Sequence, residues 1–278
     1  MSANYSEVVT TAREYYNSDD ADNFYFHIWG GEDIHIGIYQ SEDDDIRVAS
    51  ERTVAAIGKR LKGLGPEHRV IDLGAGYGGA GRWLARTYGC HVTCLNLSEA
   101  QNRRNREISE QQGLSHLIDV IDGSFEEIPS ADDSFDAVWS QDSILHSGQR
   151  ARVLDEVDRV LKPGGDILFT DPMQADDCPP GVIDPVLERI HLDSLGSFAF
   201  YREQAARLGW QEVEIEDLTP QLVRHYTRVR QELANHREAL EGKVSDAYID
   251  RMIKGLGHWV DAGANGYLAW GIMHFKKP

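Results

Sequence analysis

Three glycines, Gly74, Gly76 and Gly79, stand at GxGxxG spacing in the segment DLGAGYGG, directly after an apolar strand pattern and before a helical one. Glycine there permits a tight turn and lets backbone approach a ligand closely. The spacing alone leaves a dinucleotide and other nucleosides open. Asp72, at the strand end, breaks the tie. A carboxylate at that point repels a pyrophosphate but attracts the ammonium of a methionine moiety, directly or through water. The loop, with Ala75 inside it, is therefore read as a site for S-adenosylmethionine. Asn96 and Leu97 end the second strand, where many nucleoside-binding sheets place an acid for the ribose; an amide can also donate and accept to a diol. Gln101 follows in the next helix. After the third strand, Asp122, Gly123, Ser124 and Phe125 stand where an adenine ring would lie, Phe125 as an apolar wall.

The elements that must position these residues are readable from periodicity. Residues 5 to 17 and about 47 to 62 read as helices flanking the aromatic and glycine-containing stretch 22 to 39. From residue 68, short apolar strands alternate with amphipathic helices, a pattern that implies a parallel sheet with helices on both faces. Periodicity breaks for about 25 residues after Asp171, which reads as an insertion over the strand ends. Two helical stretches, roughly 220 to 241 and 245 to 261, then precede a last strand, YLAWGIMHF, free to enter the sheet as a hairpin partner. The expected fold is α/β: a Rossmann-like sheet with helices on both faces, an N-terminal helical segment and a lid insertion after the fifth strand. The expected division is 1–62 as a helical and aromatic cover and 63–278 as the sheet domain, with insertions at about 172–198 and 219–263.

Composition narrows the partners. The 278 residues carry 28 Lys and Arg against 46 Asp and Glu, a formal charge of −18. That balance argues against a phosphate backbone or an anionic membrane surface as partner. It suits a salt-rich interior or simply an acidic protein. The start lacks the pattern of an export signal and no stretch is apolar enough to span a membrane, so the expected location is the cytoplasm. Three cysteines, Cys90, Cys94 and Cys178, are too few and too poorly spaced for a disulfide framework or a four-ligand zinc site, and no metal is expected. Oligomeric state is left open.

The segments NFYFHIWGGEDIHIGIY, VIDLGAGYGG, CLNLSEAQNRRNR, VWSQDSILHS, ILFTDPMQADDCP, RIHLDSLGS and GYLAWGI run over nearly the whole chain. In them the sequence resembles class I methyltransferases, which implies a Rossmann-like seven-stranded class I methyltransferase sheet, and more closely the sarcosine/dimethylglycine N-methyltransferases of betaine biosynthesis. The glycine loop is common to a vast superfamily; WSQDSILHS followed by TDPMQADDCP is far more selective. In the wider group of small-amine enzymes, phosphoethanolamine methyltransferases included, an N-terminal tyrosine and the histidine of the SILH-like turn form a hydrogen-bonded pair over the substrate amine. Carried over, the resemblance implies Tyr25 and His146 as that pair, with Gln141 and Asp142 lining the same turn. The glycine/sarcosine enzymes carry an arginine where this chain has Met173. The pair Pro172 and Met173 matches enzymes of the later methylation steps, which puts dimethylglycine first.

The implied chemistry is an in-line displacement that needs a nitrogen lone pair about 3 Å from a sulfonium methyl carbon. A protonated amine has no lone pair, so His146 is expected to take the proton or to favour the neutral amine. The quaternary ammonium product suits aromatic walls, for which Tyr25, Trp29, Tyr201 and Tyr226 are candidates. The acceptor carboxylate needs a donor, and Arg189, His191, Arg202, Arg224, His225 and Arg228 all lie in the insertion or later helices. Competing readings are a phosphoethanolamine or other small-amine enzyme, a carbon methyltransferase, and a non-catalytic cofactor-binding protein that would need neither Tyr25 nor His146.

Overall fold

Strand β1 (Arg69–Leu73) is buried at every position after Arg69, as expected of a central parallel strand covered on both faces. The computed structural model describes residues 5–29 and 31–278. Around β1 the chain alternates as α4 (Gly79–Tyr88), β2 (His91–Asn96), α5 (Glu99–Gln111), β3 (Ile118–Asp122), β4 (Phe135–Gln141), α6 (Arg150–Val160) and β5 (Leu161–Thr170). It is completed by α8 (Phe198–Leu208), β7 (Gln211–Asp217) and β9 (Gly271–Lys276). The seven strands lie in the order β3-β2-β1-β4-β5-β9-β7. The first five are parallel, and β9 runs antiparallel between β5 and β7. The exposed edge strand β7 is blunted by Glu212, Glu214 and Glu216, and Arg60 bonds the last two.

Most of the remaining elements build a roof over the carboxyl ends of the strands. They are α1 (Glu7–Asn17), α2 (Asp19–Phe24), β6 (Met173–Gln174), α7 (Asp184–Ile190), α9 (Thr219–Asn235), α10 (Asp246–Ala264) and β8 (Leu268–Ala269), the last pairing with β6, whereas α3 (Ile46–Gly58) packs Val54 and Ile57 against one face of the sheet. Ser6, Ser18, Asp45, Ser98 and Ser245 each cap a helix through the side-chain oxygen, an arrangement worth about 1 kcal/mol apiece. The chain leaves α2 through a single π-helical turn, Tyr25–Trp29, of the kind often found at functional sites. The third helix ends at Gly58, four residues short of the expected 62, where a Cβ would strike the ring of Trp83. The helix expected over 220 to 241 stops at Asn235 and gives way to a short turn that buries Leu240 in the roof.

Three apolar clusters hold these layers together. One joins Phe24, Ile36, Tyr77, Leu222, Val229, Leu256 and Trp270 under the roof, and two others fill the faces of the sheet. The roof has its own core, so its helices are held by packing.

Candidate active site

The cleft above β1 and β2 is lined by Gly74, Gly76, Asn96, Leu97, Gln101, Phe125, Gln141, Asp142, Ser143 and His146, and is closed by Val9, Ala12 and Tyr16 of α1. Gly74 has φ +73°, and a Cβ there would collide with the side chain of Ser143, which donates to Leu73 O at 2.8 Å. The strand end and the turn after β4 therefore close against each other only through a glycine. Asn96 Nδ2 donates to Gln101 Oε1 at 3.0 Å. Gln101 Nε2 and Gln141 Nε2 are buried without an acceptor among the described residues. Two orphan amide donors facing a cleft beside a glycine turn fit a nucleoside carrying a polar amino-acid tail, since a buried donor without a partner is costly.

Several expected cofactor residues sit elsewhere on this edge. Asp72 is 3% exposed and lies beneath the loop, its carboxylate near Gly81 in the first turn of α4. Burial pushes its pKa up to about 7, against the pull of nearby His35. Among the described residues it is absent from the cleft lining, so its contact with a bound methionine tail needs an intervening group. Ala75 is also behind the loop, packed with the sheet core. Asp122, Gly123 and Ser124 line an adjoining surface depression that meets the cleft at Val9, and Asp122 is engaged by Asn102 at 2.7 Å and Arg106 at 2.8 Å.

Next to the cleft and sharing Ala12, Tyr16, Ile34, Asp142 and His146 with it lies a cavity partly open to solvent. Six aromatic side chains, Tyr15, Tyr16, Tyr25, Trp29, Tyr226 and Trp259, stand in its walls. Tyr226 stacks on Trp259 at 4.9 Å between centroids, and Trp29 packs edge-on against Tyr226 at 5.8 Å and tilted against Tyr25 at 5.2 Å. Asp142, at φ +51°, accepts from Ile36 N at 2.6 Å and from the Trp270 indole at 2.8 Å. A non-glycine residue in the left-handed region is a strained placement, tolerated where surrounding bonds over-determine it.

The expected pairing of Tyr25 with His146 is corrected here. His146 Nε2 is hydrogen-bonded to Tyr16 OH at 2.8 Å, while Tyr25 OH meets Tyr15 OH at 3.3 Å. The reason lies in how α1 docks: Ser98 Oγ donates to Tyr16 O and to Asn17 Oδ1, and Glu99 accepts from Asn17 and pairs with Arg13. These bonds fix the end of α1 over α5 and turn Tyr16 towards His146, leaving Tyr25 one ring further out, 5.5 Å from Tyr16. Burial, with Arg189 adding to it, holds His146 down to about 4, and burial raises the Tyr16 phenol. At neutral pH the pair is an uncharged imidazole and a protonated phenol.

Two further expectations are corrected. Tyr201 is 1% exposed, packs on Phe169, and donates to Asp171 Oδ2 at 2.6 Å instead of lining the cavity. Asp171 Oδ1 in turn accepts from Leu145 N at 2.9 Å, one residue before His146. Tyr201 thus anchors the turn that carries the histidine. Met173 is fully buried in the core beneath the cavity, and Pro172 alone of that pair reaches the lining.

Among the basic candidates, Arg202 is paired with Glu212, Arg228 with Glu232, and Arg224 reaches the carbonyl of Tyr39. His225 is fully buried behind Trp29 and held by Gly37 N and Tyr39 OH. His191 reaches the cavity rim, and its side of the helix end is exposed. Arg189 lines the cavity itself. Burial lowers its pKa, but the phenols of Tyr15, Tyr25, Tyr226 and Tyr248 around it outweigh this and leave it raised. Its Nη2 contacts Met252 Sδ at 3.5 Å, a weak acceptor that leaves a guanidinium's fork available. Sequence reasoning missed Tyr16 and Trp259. The stripe Val8, Ala12, Tyr16 at i, i+4, i+8 marks a face of α1 that could have pointed to the first.

A seven-stranded sheet of this order, with a glycine turn after β1 and an acceptor cavity above β4 and β5, defines a class I S-adenosylmethionine-dependent methyltransferase. Residues 71–169 match a family profile described as a methyltransferase domain. The chain is 56% identical to the sarcosine/dimethylglycine N-methyltransferase of Aphanothece halophytica, over 98% of both. It is 58% identical to the glycine/sarcosine/dimethylglycine N-methyltransferase of Actinopolyspora halophila over 98% of its own length, and spans about half, 48%, of that relative. A crystal structure of a candidate sarcosine dimethylglycine methyltransferase from Galdieria sulphuraria superposes with a TM-score of 0.90 at 43% identity, covering 95% of this chain and 98% of that one. The chain belongs to the sarcosine/dimethylglycine N-methyltransferase family.

Proposed function

We propose that this chain methylates the nitrogen of sarcosine and of N,N-dimethylglycine, with dimethylglycine preferred and glycine betaine as the end product, and that it works in the cytoplasm. The observation that carries the reading is one cavity with an uncommitted guanidinium, Arg189, and a polar cluster of Tyr16, His146 and Asp142, joined by aromatic walls. An amino acid with a methylated nitrogen has matching parts: a carboxylate, and an amine that becomes a quaternary cation. Arg189 binds the carboxylate, a charge-assisted contact of roughly 1.5–3 kcal/mol. Tyr25, Trp29, Tyr226 and Trp259 wrap the methyl groups, as aromatic faces do for cations of this type. The printed activities of the Aphanothece and Actinopolyspora relatives support the same acceptors.

S-adenosylmethionine, when bound, supplies an electrophilic methyl group on a positive sulfur. Gln101 and Gln141 offer it their unpartnered amides, and Gly74 and Gly76 let backbone come close. His146, neutral at physiological pH and fixed by Tyr16, first of all aims the amine. An imidazole lowered to about 4 is too weak to strip an alkylammonium of ordinary pKa near 10 unaided. Proton loss is favoured chiefly by burial, which penalises the ammonium as it does His146, and the released proton passes to solvent at the open side of the cavity. Asp142 orients the amine before that loss. α1 covers one side of both spaces and narrows their access to water.

Incubation with S-adenosylmethionine and, separately, glycine, sarcosine, dimethylglycine and phosphoethanolamine tests this. Turnover is expected on sarcosine and, with the higher kcat/KM, on dimethylglycine. Turnover of neither rejects the proposal, and phosphoethanolamine turnover replaces it.

A further inference from the structure

Gly255 stands in the interior of α10, where glycine weakens a helix relative to alanine. A Cβ built on it would come 2.7 Å from Arg189 Nε and nearer still to its Cδ, and the three nearest atoms all belong to Arg189. The arginine stem therefore lies across the helix in the space that any larger residue at 255 would fill. Met252, three residues earlier, meets the guanidinium through its sulfur, and Trp259, four residues later, lines the same cavity with a buried indole N–H that has no acceptor among the described residues. That spacing puts all three on one face of α10. Gly257, on the same helix, is different: its Cβ would stand 3.6 Å from Arg230, an ordinary contact.

We propose that Gly255 is a positioning and specificity-determining residue for the acceptor: by omitting a side chain it lets Arg189 lie back against α10, at the depth where a two-carbon amino acid can span from guanidinium to the His146 end of the cavity. The inference rests on Arg189 as the carboxylate anchor. A methyl group at 255 drives the guanidinium into the cavity and shortens that span without touching the nucleoside cleft.

The test is steady-state kinetics with dimethylglycine on wild type, Gly255→Ala, Gly257→Ala, Arg189→Ala and the double variant Arg189→Ala/Gly255→Ala, with calorimetric binding of S-adenosylhomocysteine to each. Gly255→Ala should raise KM at least about fivefold with kcat within about twofold, the split expected when a binding contact is displaced. Gly257→Ala should match wild type, and nucleoside affinity should hold throughout. In the Arg189→Ala background the added alanine should change kcat/KM less than about twofold, because coupled residues are non-additive. A KM for Gly255→Ala within twofold of wild type, or a full additional loss in the double variant, overturns the inference while leaving the acceptor assignment standing. A wild type that methylates neither sarcosine nor dimethylglycine overturns both.

Discussion

The nucleoside cleft draws most of its lining from turns at the ends of neighbouring strands: Gly74 and Gly76 after β1, Asn96 and Leu97 after β2, Phe125 after β3, Gln141 at the end of β4. The acceptor cavity takes its walls from α1, the π turn, the segment around His35, α7, α9 and α10, which meet only when the roof packs. The first is built on a rigid sheet whose register is fixed by hydrogen bonds. The second depends on helix docking and on single polar contacts such as the bond between Tyr16 and His146. Cofactor binding should therefore tolerate changes in the roof that abolish acceptor binding.

Arg189→Ala breaks that separation or sustains it most decisively. Removing the anchor should lower kcat/KM for dimethylglycine by about 100-fold, of the order expected when a charged partner is removed and the carboxylate is left unpaired in the cavity, with S-adenosylhomocysteine affinity within about threefold. A comparable loss of nucleoside affinity would show that the two spaces are not independent.

Tyr16→Phe and Tyr25→Phe sharpen the account of the polar end. The first should cut kcat at least about tenfold through loss of the hydrogen bond to His146, the second less than about fivefold. Equal effects, or the reverse order in single-turnover rates, would return Tyr25 to the pair. Gln101→Ala acts on the other side of the comparison. It should raise the dissociation constant of S-adenosylhomocysteine about fivefold and leave the KM of dimethylglycine unmoved, both readable by calorimetry and initial rates.

The two regions also differ in how far residue order betrays them. The strand-end glycines, Asn96 and Phe125 are legible because turn chemistry and alternation place them without tertiary information. Asp72 shows the limit: its position at the strand end was clear, but its burial under α4 depends on the packing of Gly81 against Cys94. In the roof, the family likeness selected the right segment and the wrong tyrosine, because which of Tyr15, Tyr16 and Tyr25 meets His146 is decided by the docking of α1 on Ser98 and Glu99. Tyr201 was read as a wall because an aromatic in a helix looks alike whether it faces a cavity or a buried carboxylate. Arg189 stood among six basic residues, and the partners of four of them, with the exposure of His191, separated it.

The smallest effect concerns pH. Burial pushes Asp171 up to about 7, whereas the unfolded chain releases that proton near 4. The folded state thus holds an extra proton between those values, and this contribution to stability is complete below about pH 4 and lost as pH rises through about 7. Asp171→Asn lacks it, while its amide oxygen can still accept from Leu145 N and its amide nitrogen can donate to the Tyr201 oxygen. Its melting temperature relative to wild type should rise by about 2–4 °C or more from pH 5 to pH 8, since each kcal/mol is worth that much in a chain of this size. Asp72 titrates alike in both proteins and cancels. A difference independent of pH would mean that Asp171 is already ionised at pH 5.

Helix α1 closes both spaces at once, with Ala12 and Tyr16 bordering each. Movement of α1 as one body would open both spaces together, so that the spent nucleoside and the partly methylated acceptor would be released in the same event. Successive rounds are then distributive, and labelled sarcosine chased with excess unlabelled dimethylglycine should accumulate as labelled dimethylglycine in solution. Labelled betaine formed undiluted by the chase would mean that the acceptor stays seated while the other site empties.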